Sequence, residues 1–148
     1  MLTLLAIPLV IIAMQTTTSR GSVLAQLERP ATFASAHVGP GPVSKTIASG
    51  NYSLHLALGP NRAAARNTVT LALSSHGVPV HGARLTVTYG MPAMAMNNAL
   101  RSSIPERAPG SYSLREPVLG MPGSWAMHIS VVPPRGRPFS VTVDDALR

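Results

Sequence analysis

The chain has 148 residues, a formal net charge of +7 and no cysteine, with 14 prolines and 12 glycines. The absence of cysteine excludes a disulfide framework, thiolate metal ligands and a lipid-attachment cysteine. So many turn-forming residues favour short strands over long helices, and the length allows one main domain of about 100 residues. Eleven of the twelve basic residues are arginine, spread along the chain without a run, and there is no recognition-helix or RNP-type aromatic pattern. Nucleic acid is therefore not an expected partner.

Leu2 to Met14 is a thirteen-residue apolar run of the length of a secretory h-region and too short to span a bilayer comfortably. With Val23 and Ala25 before Gln26, it predicts a signal peptide or signal anchor over 1–25 and an extracytoplasmic product, periplasmic or secreted. No lysine or arginine precedes the run, which is unusual for a signal. Residues 26–49, rich in Pro, Gly, Ala and Ser and including Gly39-Pro40-Gly41-Pro42, read as a flexible tether. His37 in this stretch would be at most a mobile capture ligand.

From Asn51 the pattern becomes alternating, the period of a half-buried strand. Tyr52, Leu54, Leu56 and Leu58 share one face; Val69, Leu71 and Leu73 follow, then Leu85, Val87 and Tyr89. A short, weak strand is expected near Ala99 to Ser103. Tyr112 and Leu114, then Trp125, Met127, Ile129 and Val131, then Phe139, Val141 and Val143 complete the series. About seven strands over residues 50–148 predict an all-β, immunoglobulin-like antiparallel β-sandwich. Trp125, Tyr52, Leu56, Leu71, Val87, Ile129 and Val141 are the expected core.

Two methionine-proline turns stand out, Met91-Pro92-Ala93-Met94-Ala95-Met96 and Gly120-Met121-Pro122-Gly123-Ser124-Trp125. If successive strands alternate in direction, the loops Gly59–Arg66, Gly90–Asn98 and Val118–Gly123 all fall at one end of the sandwich. Met91, Met94, Met96 and Met121 then share a pole, and their thioethers suit soft Cu(I). The competing reading is that methionine, an adaptable apolar filler, plugs the open end of the core. His76 and His81 fall at the opposite pole, two ligands without a third. His55 and His128 lie on outward faces. The carboxylates of the domain are Glu106, Glu116, Asp144 and Asp145, with Asp144 and Asp145 diverging on one strand. Ser124 lacks the setting of a nucleophile elbow. The expectation is a protein that is not an enzyme and takes no small-molecule substrate.

Gly50-Asn51-Tyr52, Pro60-Asn61, His76-Gly77-Val78-Pro79-Val80-His81-Gly82-Ala83, Met91-Pro92-Ala93-Met94, Gly110-Ser111-Tyr112 and Met121-Pro122-Gly123-Ser124-Trp125 occur in this order. Together they resemble the YtkA-like domain, a relative of the FixH group, over about Gly50 to Val143. The resemblance implies an anchored or secreted immunoglobulin-like domain in a group often associated with copper handling and cytochrome oxidase maturation. Its Met-Pro turns map onto Met91, Met94 and Met121, with Met96 an additional thioether. No N-terminal histidine is expected on a strand, as copper carriers of the CopC type have, which favours Cu(I) over Cu(II). Two functions follow as alternatives: a carrier that binds or relays Cu(I) towards a membrane or envelope protein partner, or a protein-protein interaction module whose methionines only pack.

Overall fold

The computed structural model describes residues 33–94, 100–115 and 119–148. The segment expected as a signal, 1–25, and Met96 lie outside them. The described residues form eleven strands: β1 (Phe33–Val38), β2 (Val43–Ser49), β3 (Tyr52–Gly59), β4 (Thr68–Ser75), β5 (Val78–Pro79), β6 (Arg84–Gly90), β7 (Leu100–Ile104), β8 (Glu106–Ala108), β9 (Ser111–Arg115), β10 (Gly123–Val132) and β11 (Phe139–Leu147). A 3-10 turn spans Pro92–Met94. Among the described residues no helix is long and apolar enough to cross a membrane.

The strands form two sheets. One has the order β1-β11-β10-β6-β7; the other runs β2-β3-β4-β9-β8, with β5 paired to β4. Every pairing is antiparallel except β1 with β11, which is parallel, with Phe33 opposite Ser140 and Val38 opposite Asp145. The expected alternation sets the core. Leu54, Leu56, Leu71, Val87, Ile129 and Val141 are each buried, as are Leu58, Val69, Leu73, Leu85, Tyr89, Met127, Val131, Phe139 and Val143. These inward rows from both sheets interdigitate as in an aligned sandwich. Tyr52 and Trp125 depart from the expectation: both are half-buried at the rims and packed against the core from its edge.

All seven expected strands are present, and four more join them. Val78–Pro79 and Glu106–Ala108 are too short to show a period. The other two correct the reading of 33–49 as a flexible tether. Here β1 docks on β11 and β2 pairs with β3 over its whole length. The inward positions of β1 are Ala34, Ala36 and Val38, and those of β2 include Ile47 and Ser49. The alanines of β1 carry little hydrophobic contrast, and its partner β11 lies about a hundred residues on, so no local pattern announces it.

The proline-glycine stretch between them is the corner that carries the chain from one sheet to the other. Gly39 has φ +78°, and a Cβ there would stand 2.6 Å from both the Ala146 carbonyl oxygen and Asp145 Oδ1. Only glycine fits. The opposite margin is crossed at Pro105, where β7 leaves the first sheet and β8 enters the second.

Candidate functional site

β6 ends at Gly90 at the same end of the sandwich as the start of β10, since Gly90 pairs with Ala126. The next residue, Met91, turns its side chain inward and is 7% exposed. Pro92 opens the 3-10 turn, where its missing N–H costs nothing, and Met94 N–H donates to the Met91 carbonyl at 3.1 Å. Met94 is held at the surface, 50% exposed.

The second turn meets the first. The Met91 methyl lies 2.9 Å from where a Cβ on Gly123 would stand, and Gly123 has φ +140°. A side chain at 123 would therefore displace the thioether. Met121 is 39% exposed, and its carbonyl accepts a hydrogen bond from Trp125 Nε1 at 3.1 Å. Trp125 thus sits at the rim because its N–H must reach the turn, which explains its partial burial.

The third loop completes this end. Ala64 N–H donates to Leu119 O at 2.7 Å and Ala63 N–H to Arg148 O at 3.0 Å. Asn67 braces the loop reciprocally, accepting from Arg62 N–H and donating to Arg62 O, both at 3.1 Å. The structure therefore gathers Met91, Met94 and Met121 at one pole, with one thioether buried and two exposed.

Beneath this pole lies a polar group that the sequence did not single out. Asp145 is 2% exposed, flanked in register by Trp125 and Val38, and accepts from Asn61 Nδ2 at 2.9 Å. The same Asn61 amide donates to Gly41 O at 2.9 Å. Burial pushes the Asp145 carboxyl above its ordinary value, and the Asn61 hydrogen bond only partly offsets it. The adjacent Asp144 points outward, 3.4 Å from His37 Nε2. His37 therefore stands on β1, not in a tether, which corrects the expectation that no N-terminal histidine is on a strand. Its partner is a single carboxylate, and among the described residues no three His, Asp or Glu side chains are grouped to hold a metal.

At the opposite pole His81 serves a loop network. His81 Nδ1 is 3.0 Å from Glu106 Oε2, and that carboxylate also accepts from Gly82 N–H at 3.0 Å and Gly110 N–H at 2.8 Å. Desolvation would raise the Glu106 pKa, but these donors outweigh it and hold it below the ordinary value. His76 is exposed. Tyr112 Oη donates to Val80 O at 2.8 Å and accepts from Ala83 N–H at 3.0 Å, tying β9 to the same loop. His55 and His128 face outward against hydroxyls of Thr46 and Thr142.

The molecule is thus an all-β sandwich of immunoglobulin-like architecture whose two methionine-proline turns meet at one pole. The family model of the YtkA-like domain matches residues 47–130, and the chain belongs to that family. No curated protein and no solved structure matches the chain.

Proposed function

We propose that the protein is a non-enzymatic, extracytoplasmic carrier that takes Cu(I) as cargo at the methionine pole. The observation that carries this reading is the exposure of Met94 and Met121 on two turns joined through Met91 and Gly123. A plug for the core would bury its thioethers, and these two are at the surface. The donors suit the ion, being soft and neutral, with the neighbouring carboxylate of Asp145 turned inward to Asn61. Met94 and Met121 would hold the ion from the rim, Met91 would offer its sulfur from beneath, and Met96 would add a fourth thioether.

The burial of Met91 favours the second reading for that residue, in which the pole is an apolar, adaptable surface for another envelope protein. Titration of the protein with Cu(I) under reducing conditions separates the two. Trp125, hydrogen-bonded to the Met121 turn, is the chain's one tryptophan and reports occupancy by fluorescence. Thioethers have no proton to lose, so the carrier reading expects affinity to hold from neutral to mildly acidic pH, and to fall in Met94→Leu and Met121→Leu. Binding that vanishes on acidification, or survives both substitutions, assigns the metal elsewhere and leaves the pole to packing or protein contact.

A further inference from the structure

We propose that Met94 and Met121 are also a reversible oxidation site, where a two-electron oxidant of the peroxide class converts both thioethers to sulfoxides and so releases Cu(I). The release rests on the carrier reading; the oxidation does not. The methionines of the described residues divide into two pairs. Met94 is 50% exposed and Met121 39%, whereas Met91 is 7% exposed and Met127 2%. The chain has no cysteine to compete for the oxidant. A thioether has no proton to lose before it reacts, so access decides which sulfur is taken. The sulfur lone pair attacks one peroxide oxygen, and the S–O bond forms as the O–O bond breaks. Sulfur is oxidised by two electrons, the peroxide is reduced, and the departing hydroxide takes up a proton and leaves as water.

The turns that carry the exposed pair are fixed through main-chain atoms, not through their sulfurs. Met94 N–H donates to the Met91 carbonyl at 3.1 Å, and the Met121 carbonyl accepts from Trp125 Nε1 at 3.1 Å. An oxygen added to either exposed sulfur leaves both hydrogen bonds in place. The buried pair differs. Met127 lies in the core, opposite Tyr89 on one side and Val143 on the other. The Met91 methyl is packed 2.9 Å from where a Cβ on Gly123 would stand. Oxidation of either would bury a polar oxygen in close-packed surroundings, and an oxidant reaches them only when the fold opens. Oxidation therefore halts at the rim with the sandwich intact. A sulfoxide presents a hard oxygen where a soft sulfur stood, and of the described thioethers only Met91 remains for Cu(I). Both sulfoxides stand on exposed turns, open to a methionine sulfoxide reductase that restores the site.

The test treats the full chain, metal-free, with dilute hydrogen peroxide, stops the reaction with catalase, and reads each methionine by peptide mass spectrometry. Met94 and Met121 should each gain one oxygen, with Met91 and Met127 slower by on the order of tenfold or more, a difference that disappears in urea. The doubly oxidised protein should keep its far-UV spectrum and melting temperature. Its Cu(I) affinity should fall as far as in the double variant Met94→Leu/Met121→Leu. Methionine sulfoxide reductases of both epimer specificities should bring that affinity back. Equal rates at all four methionines, or unfolding with the first two oxygens, overturns the oxidation site. An oxidised protein that holds Cu(I) as tightly as before overturns the release alone. A reduced protein that does not bind Cu(I) refutes the carrier reading and the release together, and the order of oxidation still decides the site.

Discussion

Asp145 is the residue whose environment most constrains behaviour in solution. Its folded-state pKa is raised from 3.8 by burial, so at neutral pH the buried carboxylate is a cost that the unfolded chain does not bear. That cost is relieved as pH falls through the raised value. Glu106 acts in the opposite sense: its pKa is lowered from 4.5, so its contribution is present above that value and lost as pH falls through the folded one. Urea unfolding as a function of pH should therefore show stability rising on mild acidification and falling at lower pH. Asp145→Asn keeps an acceptor for Asn61 and should be more stable than the parent at neutral pH, with the acid-side gain abolished. A gain that persists in the variant would assign the effect to another group.

Trp125 belongs to the same scale. Truncating a fully buried core residue such as Leu71 to Ala should cost roughly 2 to 5 kcal/mol. Trp125→Ala removes a larger ring, but one that is half-buried, and should fall in or below the same range. Trp125→Phe keeps much of the packing and loses the N–H to Met121 O, a change of about 1 kcal/mol. The test is the order of the three in chemical denaturation, with Leu71→Ala costing more than Trp125→Phe.

Among the elements, the corner between β1 and β2 is the least forgiving. Gly39→Ala would force a left-handed residue into a site where its Cβ meets Ala146 O and Asp145 Oδ1, whereas at Gly41, with φ +93°, nothing lies within 4 Å. Gly39→Ala should cost more than Gly41→Ala, which bears only a backbone penalty of roughly 1 to 3 kcal/mol. Amide exchange should localise the difference to β1 and β2. Equal costs would mean that the corner is not seated on β11.

These elements also show how much could be read in advance. β3, β4, β6, β10 and β11 were legible because Leu, Val and Ile repeat every second residue against polar neighbours, a contrast that comes from each strand's own residues. β1 was not legible, because its stability comes from a partner about a hundred residues away and its inward side chains are mostly alanine. At the site, the meeting of the methionine turns followed from counting strand directions, and the added strands left that count intact among β3 to β11. The individual fates of Met91 and Met94 did not follow: three residues apart and chemically identical, they part because the 3-10 turn sends the first over Gly123 and the second to the surface. The Asp145–Asn61 contact was equally hidden, joining residues 84 positions apart in sequence.

For the whole molecule, the parallel pairing of β1 with β11 has a bearing on biogenesis. The first strand of the domain finds its ladder partner only in the last, and β10 takes its longest ladder from that same strand. Pairings of such sequence separation form late. A polypeptide emerging from the ribosome, or threading through a translocation pore, would leave the first sheet open along β10 until residues 139–147 were delivered. Nascent chains stalled before Phe139 should remain sensitive to protease, and those carrying the full β11 should resist it. Closure by β11 would thus make delivery of residues 139–147 the event that seals the first sheet.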